Sequence, residues 1–139
     1  MRLKINRHLK TWLIVMLGLN LAACIGEDAQ LPAQYWQGIE FGVETRPSPA
    51  RLGINEVLVV ATLPHRQPEF NLLVSISMHK DGPWVQSIQD GHTGIFRRGL
   101  AMRELGPQTL WVKIQRVGDG ARAGQQTLLG FPFVVMAEK

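Results

Sequence analysis

The chain is predicted to fold as an all-β domain, an immunoglobulin-like β-sandwich of about seven antiparallel strands. Three observations carry the prediction. Apolar residues recur at every second position in several short runs, clusters of Gly, Pro and Asp separate those runs, and no helical period appears after residue 24.

Residues 39–43 alternate Ile39, Phe41 and Val43 with Glu40 and Gly42, the pattern of a strand with one buried face. Residues 56–63 (EVLVVATL) form a β-branched apolar run suited to a strand buried on both sides. Residues 72–78 alternate Leu72, Val74, Ile76 and Met78 against Leu73, Ser75 and Ser77. A short strand is expected over 84–88, and another over 95–102 with Phe96, Arg98, Leu100 and Met102 on one side. Residues 109–117 place Leu110, Val112 and Ile114 opposite Trp111, Lys113 and Gln115, and residues 126–136 close the domain. Pro132 has no N–H to donate, so that last strand belongs at a sheet edge or carries a bulge. The punctuation falls between the runs: Pro47-Ser48-Pro49, Pro64 to Pro68, Asp81-Gly82-Pro83, Asp90-Gly91, Gly106-Pro107 and Gly118-Asp119-Gly120. The domain spans residues 35–139, enough chain to bury a core without disulfides or metals.

Charge excludes one class of partner. The chain has 15 Lys and Arg against 11 Asp and Glu, but Arg2, Lys4, Arg7 and Lys10 all precede Cys24 and no acid does, which leaves 11 basic and 11 acidic side chains afterwards. A balanced chain with no basic block has no electrostatic footprint for a phosphate backbone, so nucleic acid is not an expected partner. The single cysteine rules out an internal disulfide and a Cys-cluster zinc site.

The N-terminus reads as an export signal: a basic stretch over 1–10, an apolar stretch over 11–19 and small residues before Cys24. The apolar segment from Thr11 to Ala23 is 13 residues. At the helical rise that is about 20 Å, short of the roughly 30 Å hydrocarbon core that a retained span must cross. Leu21-Ala22-Ala23-Cys24 resembles the lipobox of bacterial lipoproteins. The resemblance implies a signal peptide over 1–23, lipidation of Cys24 on sulfur, and acylation of its new amino group. Several acyl chains make a stable membrane anchor where one holds marginally. Ile25 rather than Asp follows the cysteine, which by resemblance to Gram-negative sorting implies the outer membrane, with the domain facing the periplasm on a linker over 24–34.

The stretch Pro49-Ala50-Arg51-Leu52-Gly53-Ile54-Asn55-Glu56-Val57 resembles the opening of YtkA-like and FixH-like periplasmic domains, with a proline, a glycine and an asparagine before an apolar strand. Gly94-Ile95-Phe96, then Gly106-Pro107 and Leu110-Trp111-Val112-Lys113-Ile114, are similar to those families' later strands. The resemblance implies an immunoglobulin-like fold and, in some relatives, a place beside respiratory-oxidase or copper-handling genes. This chain departs from it in having a lipid anchor in place of the FixH-like membrane helix and in lacking a strand rich in His and Met.

If strand directions alternate, the loops at 64–68, 89–94 and 118–124 share one end of the sandwich and those at 46–53, 79–83 and 103–107 the other. His79 and His92 then lie too far apart for one ion, which leaves two candidate metal sites. His65, His92 and Asp119 would suit zinc or Cu(II); His79, Met78 and Met102 would suit Cu(I). The plainer reading has Met78 and Met102 filling the core and the histidines solvated. Arg97 and Arg98 face opposite sides and make no basic patch. Trp84 is placed to pack under its turn, and Trp111 either contacts a partner or is covered within the sheet layers. No G-x-S-x-G elbow or phosphate-cradling loop is present, so the expected role is non-catalytic: binding an envelope protein partner. The alternatives are a copper or zinc accessory factor, as in oxidase assembly, and a structural envelope lipoprotein.

Overall fold

The computed structural model describes residues 31–139. The segment 1–23 expected to be a signal peptide, Cys24, and the expected linker as far as residue 30 lie outside the described residues. The strands are β1 (Gln34–Trp36), β2 (Ile39–Arg46), β3 (Gly53–Leu63), β4 (Gln67–Pro68), β5 (Leu72–Ser77), β6 (Val85–Gln86), β7 (Ile88–Gln89), β8 (Ile95–Met102), β9 (Gly106–Arg116) and β10 (Gln126–Val135). A single 3-10 turn covers Pro64–Arg66. Among the described residues no helix is long and apolar enough to cross a membrane.

The strands form two antiparallel sheets. One has the order β1-β2-β3-β8-β7, with β4 paired to β3, and the other has the order β10-β9-β5-β6. In immunoglobulin lettering, β2, β3, β8 and β7 are A, B, E and D, while β5, β9 and β10 are C, F and G. That is an ABED sheet facing a CFG sheet extended by the short β6 beside C, so the all-β sandwich read from alternation is the fold observed, with ten strands where about seven were expected. The alternating apolar residues meet between the sheets: Phe41, Val57, Val59 and Phe96 from one, and Val74, Ile76, Val112, Ile114 and Phe131 from the other, each buried.

Four features differ from the sequence reading. The expected strand 84–88 is two, with β6 paired to β5 and β7 to β8, so the chain changes sheets at Ser87. The Ser87 N–H donates to the Val74 carbonyl at 2.8 Å during the crossing. Two-residue strands carry no readable period, and their shortness also protects both edges from pairing with another chain. β1 and β4 are too short to show a period. Leu31, ahead of the predicted boundary at residue 35, already packs against the core.

The fourth difference is β3, which is buried on one side only. Of its outward residues Leu58 is enclosed, while Glu56, Val60 and Thr62 are half-buried. Above Leu58 a ladder of charges crosses the outer face: Arg46 lies 3.7 Å from Glu56, Arg97 3.5 Å from Glu56, and Arg97 2.7 Å from Asp90. Arg98, on the other side of β8, is exposed, so the two adjacent arginines do not combine.

Candidate functional site

Strand register fixes which loops share an end. β3 runs up to Leu63 and β5 starts down at Leu72, whose partner is Arg116, so the loops at 64–71, 90–94 and 117–125 lie together. Gly53 pairs with Met102 and Val135 with Gly106, which gathers 47–52, 78–84 and 103–105 at the opposite end. His65, His92 and Asp119 therefore share one end. His65 sits exposed in the left-handed region at φ 60°, and His92 stacks on Phe70 with ring centroids 4.6 Å apart. Among the described residues no three His, Cys, Asp or Glu side chains gather into a group able to hold a metal ion, so His65, His92 and Asp119 share an end without forming such a group. At the other end Met102 is enclosed in the core, Met78 is half-buried against it, and His79 is exposed. Core packing occupies the Met102 side chain.

The upper end is organised by residues that carry no sequence signal. Glu69, buried in the loop before β5, lies 3.4 Å from the Arg116 guanidinium and accepts the Asn71 N–H at 2.9 Å. Arg116 Nε donates to the Gln37 side-chain oxygen at 2.7 Å, and the guanidinium lies 5.8 Å from the Trp36 ring centre. This ties β9, the loop before β5 and the β1–β2 turn into one unit, and its burial gives it a structural role.

Tyr35, beside Trp36 on β1, is exposed, and its hydroxyl donates to the Glu40 carboxylate at 2.8 Å. That hydrogen bond, and then the charge of Glu40, hold the phenol above its ordinary pKa, because ionisation would set a second negative charge against the first. The chain has one tyrosine, so phenolate absorbance reads this group alone. Its titration midpoint is expected to fall to the ordinary value in Glu40→Ala; an unchanged midpoint would mean that the contact does not form in solution.

Two surfaces offer themselves for binding. The first is the outer face of the second sheet. Ser77 pairs with Trp111, and Ile76 with Val85, so Trp84 stands beside Ser77 on the strand opposite Trp111. The two indoles flank a serine that is itself buried. Trp111 lies across Gly130, where an added Cβ would come within 2.9 Å of the ring, and Trp84 packs in the same way on Gly82 of its turn. Lys113 Nζ is 4.6 Å from the Trp84 ring centre and Lys80 Nζ 5.4 Å from that of Trp111. Trp111 thus faces outward, as its alternation predicts, half-buried by its own sheet. The pairing of Trp84 with Lys113 was not readable, although Trp111 and Lys113 two apart on one face and Gly130 as a gap in an apolar strand are its traces.

The second surface is the flank where β2 and β10 approach without pairing. β1 pairs with residues 39–41 only, so β2 from residue 42 to Arg46 has no strand partner on that side among the described residues, and Leu31 to Ala33 border its first part. Opposite it, β10 offers Pro132, Phe133 and Val134, and Pro132 lies on a sheet edge as its missing N–H requires. The space between is a cleft of about 670 Å³, floored by Val43 and Phe133 and closed at its lower end by Pro49 and Ala50. That lower wall is held to β10 by hydrogen bonds from Leu52 N–H to Met136 O at 3.0 Å and from Met136 N–H to Ala50 O at 2.8 Å. Leu31 and Pro32 border the cleft, so the chain leading from Cys24 enters the domain beside it. The chain matches no protein-family model, no curated protein and no solved structure.

Proposed function

We propose that this protein is a lipid-anchored envelope lipoprotein, held at Cys24 on the periplasmic side of the outer membrane, whose sandwich is a non-catalytic module that binds an extended segment of an envelope protein. The observation that carries the reading is the flank: an unpaired stretch of β2 beside an apolar cleft next to where the tethered chain enters. A strand edge supplies main-chain donors and acceptors, and the alternate side chains of an added segment find an apolar floor at Val43 and Phe133. The lipobox-like Leu21-Ala22-Ala23-Cys24 supports the anchor. Tethering raises the effective concentration of the module for partners at the same membrane, so modest affinity suffices.

A photo-crosslinking residue at Thr45 or Val134, in cells, is expected to give one discrete protein adduct, absent when the same residue stands at Gln115. Palmitate labelling is expected in the wild type and lost in Cys24→Ser. Labelling that survives that change would overturn the anchor, and equal adducts from all three positions would overturn the flank as the binding surface.

A further inference from the structure

We propose that the outer face of the β10-β9-β5-β6 sheet binds an anionic glycan, a carboxylate-bearing polysaccharide strand, with Trp84 and Trp111 as stacking platforms and Lys80 and Lys113 as counter-charges. This surface is separate from the flank, so it stands or falls independently of the partner reading above.

Charge distribution is the first argument. The strands β5, β6, β9 and β10 contain no Asp or Glu, whereas the other sheet carries Glu40, Glu44 and Glu56. Of the basic residues on the acid-free strands, Arg116 is engaged by Glu69, and Lys113 makes no ion pair among the described residues; nor does Lys80 in the adjoining turn. Asp81, the acid closest in sequence, lies in the same turn and is likewise unpaired among the described residues. The negative charge of the described residues lies largely elsewhere, and this face holds two cations that among those residues sit over indole rings and in no ion pair.

Ring geometry is the second argument. Trp111 on β9 and Trp84, the residue before β6, are separated by β5, two strand spacings or about 9.5 Å apart. Each packs against a glycine, close enough that an added Cβ there would come within 2.9 Å of the ring, and each has an ammonium over the ring. An indole face is electron-rich and attracts positive density, which here is an ammonium and in a sugar complex would be the C–H groups of a pyranose ring. Lysine is flexible enough to leave the ring and follow a carboxylate. The lysines therefore cover the platforms in the free protein and pair with the ligand's acids in the complex.

Surface shape selects the ligand class. The two platforms lie on one row of an open sheet face, which suits a strand laid across it. An acidic peptide would seek a strand edge, and this is a sheet face. A membrane contact would need the indoles to project into the interface, whereas each is half-buried against a glycine of its own sheet or turn.

The test is a fluorescence and calorimetric titration of the full chain in detergent with alginate oligomers, using dextran, poly-glutamate and phosphatidylglycerol vesicles as comparators. Saturable alginate binding that weakens with salt is expected, with little response to dextran. Trp111→Ala is expected to weaken it at least about tenfold. Lys80→Gln with Lys113→Gln is expected to do the same while leaving the melting curve unchanged, which keeps the test valid should the tryptophan variant unfold. Alginate binding weaker than about 1 mM, alginate affinity unchanged in the lysine double variant, or tighter binding to poly-glutamate or vesicles would each overturn the proposal.

Discussion

Gly94→Ala is expected to destabilise the domain by about 3 kcal/mol or more and to lower its melting temperature by more than about 10 °C. Gly94 is buried at the start of β8 with φ +75°, and a Cβ there would stand 2.6 Å from the Ala61 carbonyl oxygen. That oxygen cannot retreat freely. It accepts the Glu69 N–H at 3.0 Å, while the Ala61 N–H donates to the Gly94 carbonyl at 2.8 Å. Pro68 Cβ, 3.1 Å away, blocks the other direction. A left-handed alanine costs roughly 1–2 kcal/mol, and forcing an atom into packed backbone costs about 1–3 kcal/mol more. Gly118→Ala is the control, since Gly118 has φ +105° but open space around it, and only the conformational cost applies. Equal melting curves for the two variants would show that the close approach of β8 to β3 is absent in solution.

The same two strands show why part of this fold was legible and part was not. Alternation in 72–78, 95–102 and 109–117 identifies one buried face each, and burial between two sheets enforces that period, so those strands lie where the sequence puts them. Ser87 fails for the opposite reason. A sheet change made by two-residue strands is decided by what the neighbouring strands leave unpaired, and the local sequence does not hold that information. β3 fails in another way: its apolar run reads as buried on both faces, but only Leu58 is enclosed on the outer one, where strand pairing sets Arg97 beside Leu58 and within reach of Glu56, 41 residues away in the chain. The site residues divide along the same line. Trp111 is readable as outward because its neighbours Leu110 and Val112 are inward, but its contact with Gly130 and the cation of Lys80 are matters of register. The histidines at 65 and 92 share an end because topology places their loops there, yet sharing an end does not aim two side chains at one point.

Asn55→Ala is expected to cost about 3–4 kcal/mol and to act first on the lower wall of the flank. Asn55 lies on the inward face of β3, fully buried, where an unpaired amide would be expensive. Its side chain is paired throughout: Oδ1 accepts the Arg51 N–H at 2.9 Å, and Nδ2 donates to the carbonyls of Arg51 at 2.6 Å and Gly53 at 3.1 Å. These bonds fold residues 51–53 into the turn that places Leu52 and Ala50 against Met136. Alanine strands the Arg51 N–H and two carbonyls, and each buried group left unpaired costs about 1–3 kcal/mol, less where water can reach it. Pro49, and the Gly53 and Asn55 that open β3, thus have a mechanical reading, in which the asparagine is a latch for the 49–53 segment. Amide hydrogen exchange tests this directly, because a latch and a core filler differ in where stability is lost. If Asn55 is the latch, the Leu52 and Met136 amides exchange much faster in Asn55→Ala while the Val74 and Ile114 amides slow or quicken only with global stability. Asn55→Leu fills the space without restoring the bonds, so it should behave like the alanine variant at Leu52 and Met136. Protection retained at those two amides in the leucine variant would reduce Asn55 to a space-filling residue and leave the flank without a fixed lower wall.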